Sequence, residues 1–137
     1  MDRGYIYLNK KSYLHNIEVL KNLSRKELCL VVKANAYGHG LEWAVKNAKE
    51  SGVKWFAVAS VDEGIEVKKV YGDSRVLLLA EPSITQLDNV KENNIDLTVY
   101  NESFIDTLIE TGDEFSVHLK IDTGMHRLGC PPEKFYN

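Results

Sequence analysis

The stretch "WFAVASVDEGIEVKKVYGDSRVLLLA", residues 55–80, decides the fold class. It begins and ends with apolar runs that are short enough to be strands. Between them lies a segment whose apolar residues have helical spacing, and Ser60 stands directly before it, as an N-cap should. A strand, a helix and a second strand in this order predict two parallel strands joined by a crossover helix.

The same alternation runs through the chain on both sides of this stretch. Strands are predicted at 28–32, 55–59, 76–80, 96–100 and 116–121, and helices at 10–24, 41–51, 62–70, 83–93 and 101–111. Ser83 and Asn101 stand where N-caps are expected, and "NN" at 93–94 and "TG" at 111–112 stand where helices end. Most strand runs are apolar on both faces, which is typical of a parallel sheet covered by helices. An open doubly wound sheet and a (β/α) barrel both fit this pattern.

The segment "YIYLN", residues 5–9, precedes the first helix and alternates less regularly than the other runs. It is predicted to be an edge strand or an attachment to another domain. The chain has 137 residues, the size of one ordinary domain. Because a complete eight-stranded barrel needs about 250 residues, a barrel here would be little more than half of one.

Composition and charge exclude several classes of protein. Hydrophobic residues make up 44% of the chain, which is enough for a packed core, and the net charge of −3 argues against nucleic-acid or acidic-membrane partners. No apolar stretch reaches the length of a membrane span or resembles a signal peptide. Cys29 and Cys130 lack metal-type spacing, so we predict free thiols in a reducing cytoplasm and no metal site.

The first candidate site lies in "VVKANAYGHG", residues 31–40, where Lys33 ends a buried strand. Folds of this class place their ligands at that end of the strands. A lysine ammonium with little water around it loses its proton more readily, and the neutral amine attacks carbonyls to form a Schiff base. The following loop offers the Tyr37 hydroxyl and backbone N–H groups, which suit a phosphate. On spacing alone, a lysine that reaches solvent from a strand end is the more common case.

The second candidate site lies in "HLKIDTGMHRLG", residues 118–129. The polar side chains of its strand alternate with apolar ones and would point into a barrel: Ser116, His118, Lys120 and Asp122. An inward Lys120 must pair with a carboxylate, lose its proton or be modified, and Asp122 is one possible partner. Arg127, in a glycine-flanked loop, has the planar group that binds a substrate carboxylate. A structural Lys120–Asp122 pair and a solvated Arg127 explain this stretch equally well.

Taken together, these two motifs resemble those of alanine racemases, which are fold-type III pyridoxal phosphate enzymes. The resemblance covers the whole chain but only the amino-terminal part of the family's architecture, a (β/α)₈ TIM-type barrel followed by a β-rich domain. It implies that residues 1–137 form about five strand–helix units of the barrel, and that the carboxy-terminal domain is absent.

The resemblance also implies roles for individual residues. Lys33 matches the lysine that holds pyridoxal 5′-phosphate as a Schiff base and acts as a catalytic base. Tyr37 matches the tyrosine that binds the cofactor phosphate, and Lys120 matches a lysine found carbamylated, as N6-carboxylysine, in family members. Arg127 matches the catalytic arginine that approaches the substrate carboxylate. His126 departs from the glycine seen in many members.

The activity implied is interconversion of L-alanine and D-alanine, which supplies D-alanine for peptidoglycan, by a cytoplasmic homodimer. In the family the second base is a tyrosine of the partner subunit's carboxy-terminal domain, so this polypeptide alone is expected to be inactive. The alternatives are a pyridoxal phosphate-binding homeostasis protein and a racemase acting on serine or another small amino acid. No role transfers to His39, which is predicted to make local hydrogen bonds.

Overall fold

A computed structural model describes residues 4–134, in which parallel strands alternate with helices. The strands of these residues are β1 (Cys29–Val31), β2 (Trp55–Val58), β3 (Arg75–Leu78), β4 (Asp96–Val99) and β5 (Val117–Leu119). The helical segments are α1 (Lys10–Ser24), α2 (Lys33–Tyr37), α3 (Leu41–Glu50), α4 (Val61–Val70), α5 (Leu87–Glu92) and α6 (Glu102–Thr111), with 3₁₀ turns at Ile84–Gln86 and Pro132–Lys134. The predicted parallel α/β fold is confirmed.

The strands lie in the sheet in their chain order, β1-β2-β3-β4-β5, and every neighbouring pair is parallel. Successive right-handed crossovers in one direction place all the helices on one face of a sheet. An open doubly wound sheet instead reverses its strand order and carries helices on both faces. The sequential strand order therefore identifies the sheet as part of a (β/α) barrel and not as an open doubly wound sheet.

Curvature of the sheet supports the same conclusion. Two strands lie between β2 and β5, so a flat sheet would separate them by about 14 Å at roughly 4.8 Å per strand. The rings of Trp55 and His118, which lie on these strands, nevertheless have centroids 5.8 Å apart. On the same concave face, the Arg75 guanidinium lies 4.6 Å from the Trp55 ring centroid and pairs with Asp96 at 2.9 Å.

The core lies between the convex face of the sheet and the helices. Its fully buried side chains alternate along the strands with those of the concave face, and they include Phe56, Val58, Val76, Leu78 and Leu97. Residues of the helices close this layer from the other side, among them Val45, Val67 and Val90. Burying one such side chain contributes about 1.5–3 kcal/mol to the free energy of folding, so this layer is the main source of stability.

Local signals set the helix ends. Ser60 and Glu63 form a reciprocal capping box at α4, Asn101 accepts a hydrogen bond from the Ser103 amide at α6, and Gly112 ends α6 with φ +68°. These caps were predicted, except for the role of Glu63. In contrast, the predicted helix 83–93 is divided into a 3₁₀ turn and the short α5.

Two predictions near the helix starts are wrong. Ser83 stands directly before the 3₁₀ turn and not before an α-helix, and its side chain makes no capping hydrogen bond; its hydroxyl lies 3.0 Å from that of Thr85. The predicted edge strand 5–9 is not formed, and Tyr5, Ile6 and Tyr7 are 96%, 65% and 85% exposed. An exposed segment without a neighbouring strand makes no ladder of hydrogen bonds. Attachment of this segment to another domain stays a prediction.

The two cysteines are free, as predicted, and both are half-buried. Burial raises the pKa of Cys29 to about 11, so this thiol is protonated and unreactive at neutral pH. Among the helices of residues 4–134, none combines the length and the hydropathy that crossing a membrane requires.

Candidate functional site

The predicted site residues lie at one end of the sheet. Lys33 follows β1 after one intervening residue, and Lys120 directly follows β5. Tyr37 ends α2, and Arg127 lies in the loop after β5. Because the strands are parallel, all four residues belong to the carboxyl edge, where barrels of this type bind their ligands. No hydrogen bond or ion pair joins the four side chains within residues 4–134.

The segment that begins at Lys33 has an unusual backbone. Ala34, Asn35 and Ala36 have φ values of +51°, +53° and +51° with ψ near +50°, and Tyr37 continues the turn with φ +54°. The segment is therefore a left-handed turn made of non-glycine residues. The left-handed conformation costs an L-residue roughly 1–2 kcal/mol, so surrounding contacts must hold the turn.

Some of these contacts are the turn's own backbone bonds. Ala36 N donates to Val32 O at 2.8 Å, Gly38 N to Ala34 O at 3.0 Å, and Gly40 N to Asn35 O at 2.9 Å. The Asn35 side chain accepts from the Leu41 amide at 2.7 Å and so caps α3. These N–H groups point into the turn itself, so the prediction that they suit a phosphate is wrong for them.

The Glu63 carboxylate supplies the remaining contact and was not predicted. Its Oε1 accepts from the Ala34 amide at 2.5 Å, and its Oε2 accepts from the Ala59 amide at 2.9 Å. One side chain from the first turn of α4 therefore joins the chain after β1 to the end of β2. The sequence does carry a signal for part of this arrangement, since Ser60-x-x-Glu63 is a capping-box pattern.

The Tyr37 side chain is 60% exposed. Its hydroxyl has no hydrogen-bond partner among residues 4–134. Tyr37 also lines a groove of about 480 Å³ between α1 and β1, together with Val31, His39 and Trp43. Nδ1 of His39 donates to the Ala36 carbonyl at 2.9 Å, which confirms its predicted local role. Tyr37 is thus the free hydroxyl donor of this segment.

Lys120 lies on the concave side of the sheet. His118, two residues earlier, contacts Trp55 on that face, and alternation along the strand gives Lys120 the same orientation. Its amide donates to Val99 O and its carbonyl accepts from Cys130 N, both at 2.9 Å. The half-buried side chain has no ion-pair partner within the described part of the chain.

The predicted alternative of a Lys120–Asp122 pair is wrong. The Asp122 carboxylate accepts from the amides of Gly124 and His126, at 2.9 and 3.0 Å, and lies 3.1 Å from the His126 ring nitrogen. These backbone hydrogen bonds hold the pKa of Asp122 below its ordinary value. The regular strand ends at Leu119, so strand alternation no longer directs the side chain at 122.

The loop after Asp122 explains the unusual residue at 126. His126 has φ +54°, a conformation that glycine adopts at little cost. The Asp122 contacts hold the histidine in that conformation. Gly129 is required more strictly, because a Cβ there would lie 2.6 Å from the Asp122 nitrogen. Arg127, between these fixed points, is exposed and has no described partner within residues 4–134.

No three His, Cys, Asp or Glu side chains in the described residues are placed to share a metal ion. The chemistry available at the carboxyl edge is therefore that of an unpaired amine, a free hydroxyl and an exposed guanidinium. These groups bind carbonyl compounds and anions.

Comparison with known proteins agrees with this description. The profile of the family described as "Alanine racemase, N-terminal domain" matches residues 8–137. The chain belongs to this family. An amino-acid racemase of Enterococcus faecalis is 37% identical over 134 residues, and an alanine racemase of Helicobacter pylori is 34% identical over 135 residues. These matches cover 96% and 94% of the chain.

Solved structures of alanine racemases also resemble this chain in fold. The crystal structure of biosynthetic alanine racemase from Pseudomonas aeruginosa superposes with a TM-score of 0.83 at 31% identity over 91% of the chain. The chain spans 36% of that protein, 36% of the Helicobacter pylori racemase and 19% of the Enterococcus faecalis racemase. It therefore corresponds to the amino-terminal part of the family's TIM-type barrel.

Proposed function

We propose that this chain forms the cofactor-binding end of an alanine racemase, which interconverts L-alanine and D-alanine with pyridoxal 5′-phosphate bound at Lys33. The observation that carries the proposal is the position of Lys33. Its amine lies at the carboxyl edge of the sheet, without an ion-pair partner among residues 4–134, at the start of the left-handed turn that ends in Tyr37. Because the chain spans only part of its relatives, the activity belongs to the complete protein.

The residues present fit the cofactor. An unpaired lysine amine is the group that condenses with an aldehyde, and a free tyrosine hydroxyl donates to a phosphate. Lys33 and Tyr37 provide these groups at the two ends of one five-residue turn. When bound, pyridoxal phosphate withdraws electrons from the α-carbon of an amino acid, which makes its proton acidic.

Each residue then has a separate task in racemisation. Lys33 exchanges a proton with the α-carbon on one face, Tyr37 holds the phosphate, and Arg127 orients the substrate carboxylate with its planar guanidinium. A second base must serve the opposite face, and it comes from outside this chain, from the partner subunit of a homodimer. The proposal includes a cytoplasmic location and a role in supplying D-alanine for peptidoglycan.

We propose that Lys120 is carbamylated. The Lys120 ammonium first loses a proton, and carbon dioxide then adds to the neutral amine with release of a second proton. The cation is thereby converted into an anion. The change suits Lys120, which points to the concave face without a carboxylate partner in residues 4–134. As a carbamate it accepts hydrogen bonds from Arg127 and restricts that flexible side chain.

Reduction with borohydride tests the central proposal. In the complete protein incubated with pyridoxal phosphate, peptide mapping after reduction is expected to find the pyridoxyl group on Lys33. Lys46, an exposed lysine of α3, serves as the internal control and should stay unlabelled. Labelling at Lys120 in place of Lys33 would contradict the assignment.

Replacement of Lys120 tests the carbamate. Lys120→Ala in the complete protein is expected to lower racemase activity roughly 10²-fold, because Arg127 loses the anion that orients it. Acetate or chloride should restore part of the activity by occupying the position of the carbamate. The wild-type protein in ¹³C-bicarbonate should show a carbamate carbon resonance that the variant lacks. If no small anion rescues the variant and the resonance is missing, Lys120 is an ordinary lysine.

Two alternative functions predict different results in the same assays. The Enterococcus faecalis relative is named as an amino-acid racemase, so alanine, serine and other small amino acids should be compared as substrates. A pyridoxal phosphate-binding homeostasis protein would label at Lys33 and racemise none of them. Alanine remains the proposed substrate because proteins named alanine racemases match the chain both in sequence and in structure.

A further inference from the structure

The carboxylate of Glu63 divides its two oxygens between two strands. Oε1 accepts from the amide of Ala34, the residue after Lys33, at 2.5 Å. Oε2 accepts from the amides of Ala59 and Ser60, at 2.9 and 3.3 Å, where β2 ends. A single side chain of α4 thus binds three N–H groups that belong to two neighbouring strand ends.

Glu63 is itself held firmly. Its own amide donates to the Ser60 hydroxyl at 3.3 Å, so the capping box fixes the residue from the helix side. The amides of Ala59 and Ser60 fix the carboxylate from the β2 side. Because the carboxylate is held by both α4 and the end of β2, its hydrogen bond to the Ala34 amide fixes the backbone at Ala34 relative to these two elements.

The peptide that Glu63 binds is the one that decides where Lys33 points. The Ala34 nitrogen is bonded to the Lys33 carbonyl carbon, and the peptide group is planar, so fixing the Ala34 N–H fixes the orientation of that plane. Ala34 is also the first residue of the left-handed turn. The contact therefore acts where the backbone leaves β1 and enters its strained conformation.

The contact leaves the Lys33 amine free. A carboxylate next to an ammonium group usually forms an ion pair, which would keep the lysine charged. Here the Glu63 oxygens are occupied by backbone amides, and no described ion pair involves Lys33. An arrangement that orients a lysine but does not pair with it suits an amine that reacts.

We infer that Glu63 is a positioning residue that orients Lys33 for pyridoxal phosphate by fixing the Lys33–Ala34 peptide. The inference rests on the proposed function and adds to it a residue outside the two motifs that first indicated the site. It predicts that loss of the Glu63 contact weakens cofactor binding more than it weakens the fold.

Glu81 provides the matched control. Its Oε1 accepts from the amides of Tyr100 and Asn101, both at 2.8 Å, at the end of β4. The same kind of carboxylate–backbone contact is thus present at another strand end, away from Lys33. A merely structural role for Glu63 predicts that the two glutamates behave alike. Glu66, an exposed residue of α4, is the control for substitution on the same helix.

The experiment compares Glu63→Gln, Glu81→Gln and Glu66→Gln in the complete protein. Glutamine keeps the size of the side chain but replaces one acceptor oxygen by an NH₂ group, which cannot accept from an amide. Thermal unfolding of the cofactor-free proteins measures stability, and absorbance titration measures the Kd for pyridoxal phosphate. Glu63→Gln is expected to raise Kd about tenfold or more, and the other variants less than about twofold.

Hydrogen exchange gives a readout that is independent of the cofactor. The Ala34 amide should exchange at least about tenfold faster in Glu63→Gln and at the wild-type rate in Glu81→Gln. Equal changes of Kd in the Glu63 and Glu81 variants, or unchanged exchange at Ala34, would overturn the inference alone. A wild-type protein that binds no pyridoxal phosphate would overturn the proposed function, and the inference would fall with it.

Discussion

Replacing Lys33 by arginine in the complete protein is expected to abolish the absorbance of bound pyridoxal phosphate and to lower the proposed racemase activity at least about 10³-fold. A guanidinium stays protonated at any pH where the protein is folded, so it neither attacks an aldehyde nor exchanges a proton with a carbon atom. Arginine keeps the positive charge and the long aliphatic stem. The variant therefore separates the chemistry of the amine from simple charge at this position.

The control for this experiment is Lys46→Arg, which makes the same change at an exposed position of α3. It should keep the absorbance and the activity of the wild-type protein. Thermal unfolding should show that Lys33→Arg is folded, because the Lys33 side chain makes no hydrogen bond or ion pair within residues 4–134. Retained cofactor absorbance in Lys33→Arg would place the reactive amine elsewhere.

The strands and their parallel direction could be predicted because burial leaves a strong pattern. Runs such as 55–59 and 96–100 are apolar on both faces, and this pattern arises when both faces of a parallel sheet are covered, either by two layers of helices or by helices and a barrel interior. The choice between barrel and open sheet was not contained in the pattern itself. It depends on the order of the strands in the sheet and on the curvature of the sheet, which is visible in contacts such as that between Trp55 and His118.

The left-handed turn could not be predicted from its residues. Alanine disfavours positive φ, and among Ala34, Asn35 and Ala36 only asparagine is enriched there. The turn exists because contacts from outside, including the Glu63 carboxylate, compensate for its unfavourable backbone. The sequence around Ser60 indicates a capping box, but the second contact of Glu63 depends on the neighbouring strand and leaves no local signal.

The position of Asp122 shows how far side-chain directions can be predicted from strand alternation. Alternation along a strand predicts side-chain direction only as far as the strand continues, and β5 ends at Leu119. Lys120 keeps its place because its amide still bonds to Val99 O. Two residues later the chain has entered the loop, and the Asp122 carboxylate binds loop amides instead of Lys120. Motif resemblance indicated the candidate site residues, whereas geometry was needed to find which groups the Asp122 carboxylate contacts.

The polypeptide of residues 1–137 on its own is expected to associate and not to racemise alanine. Within residues 4–134, β1 and β5 each pair with a strand on one side only. Open strand edges invite pairing with another chain. Val117 and Leu119 of β5 are also 52% and 46% exposed, so apolar surface adjoins this edge. Association should hide both features. Racemisation is not expected, because we propose that the second base is supplied from outside residues 1–137.

Charged substitutions at the edge make this expectation specific. Sedimentation velocity should show concentration-dependent oligomers of the 137-residue polypeptide, and Val117→Lys with Leu119→Lys should shift them towards monomer, since a lysine at an edge disfavours pairing. Ile84→Lys is the control, because Ile84 is 59% exposed in a 3₁₀ turn away from both edges. A wild-type polypeptide that is monomeric, or that exchanges the α-proton of alanine in deuterated buffer with added cofactor, would contradict this account. An equal shift with Ile84→Lys would show that general surface hydrophobicity, and not the edge of β5, drives association.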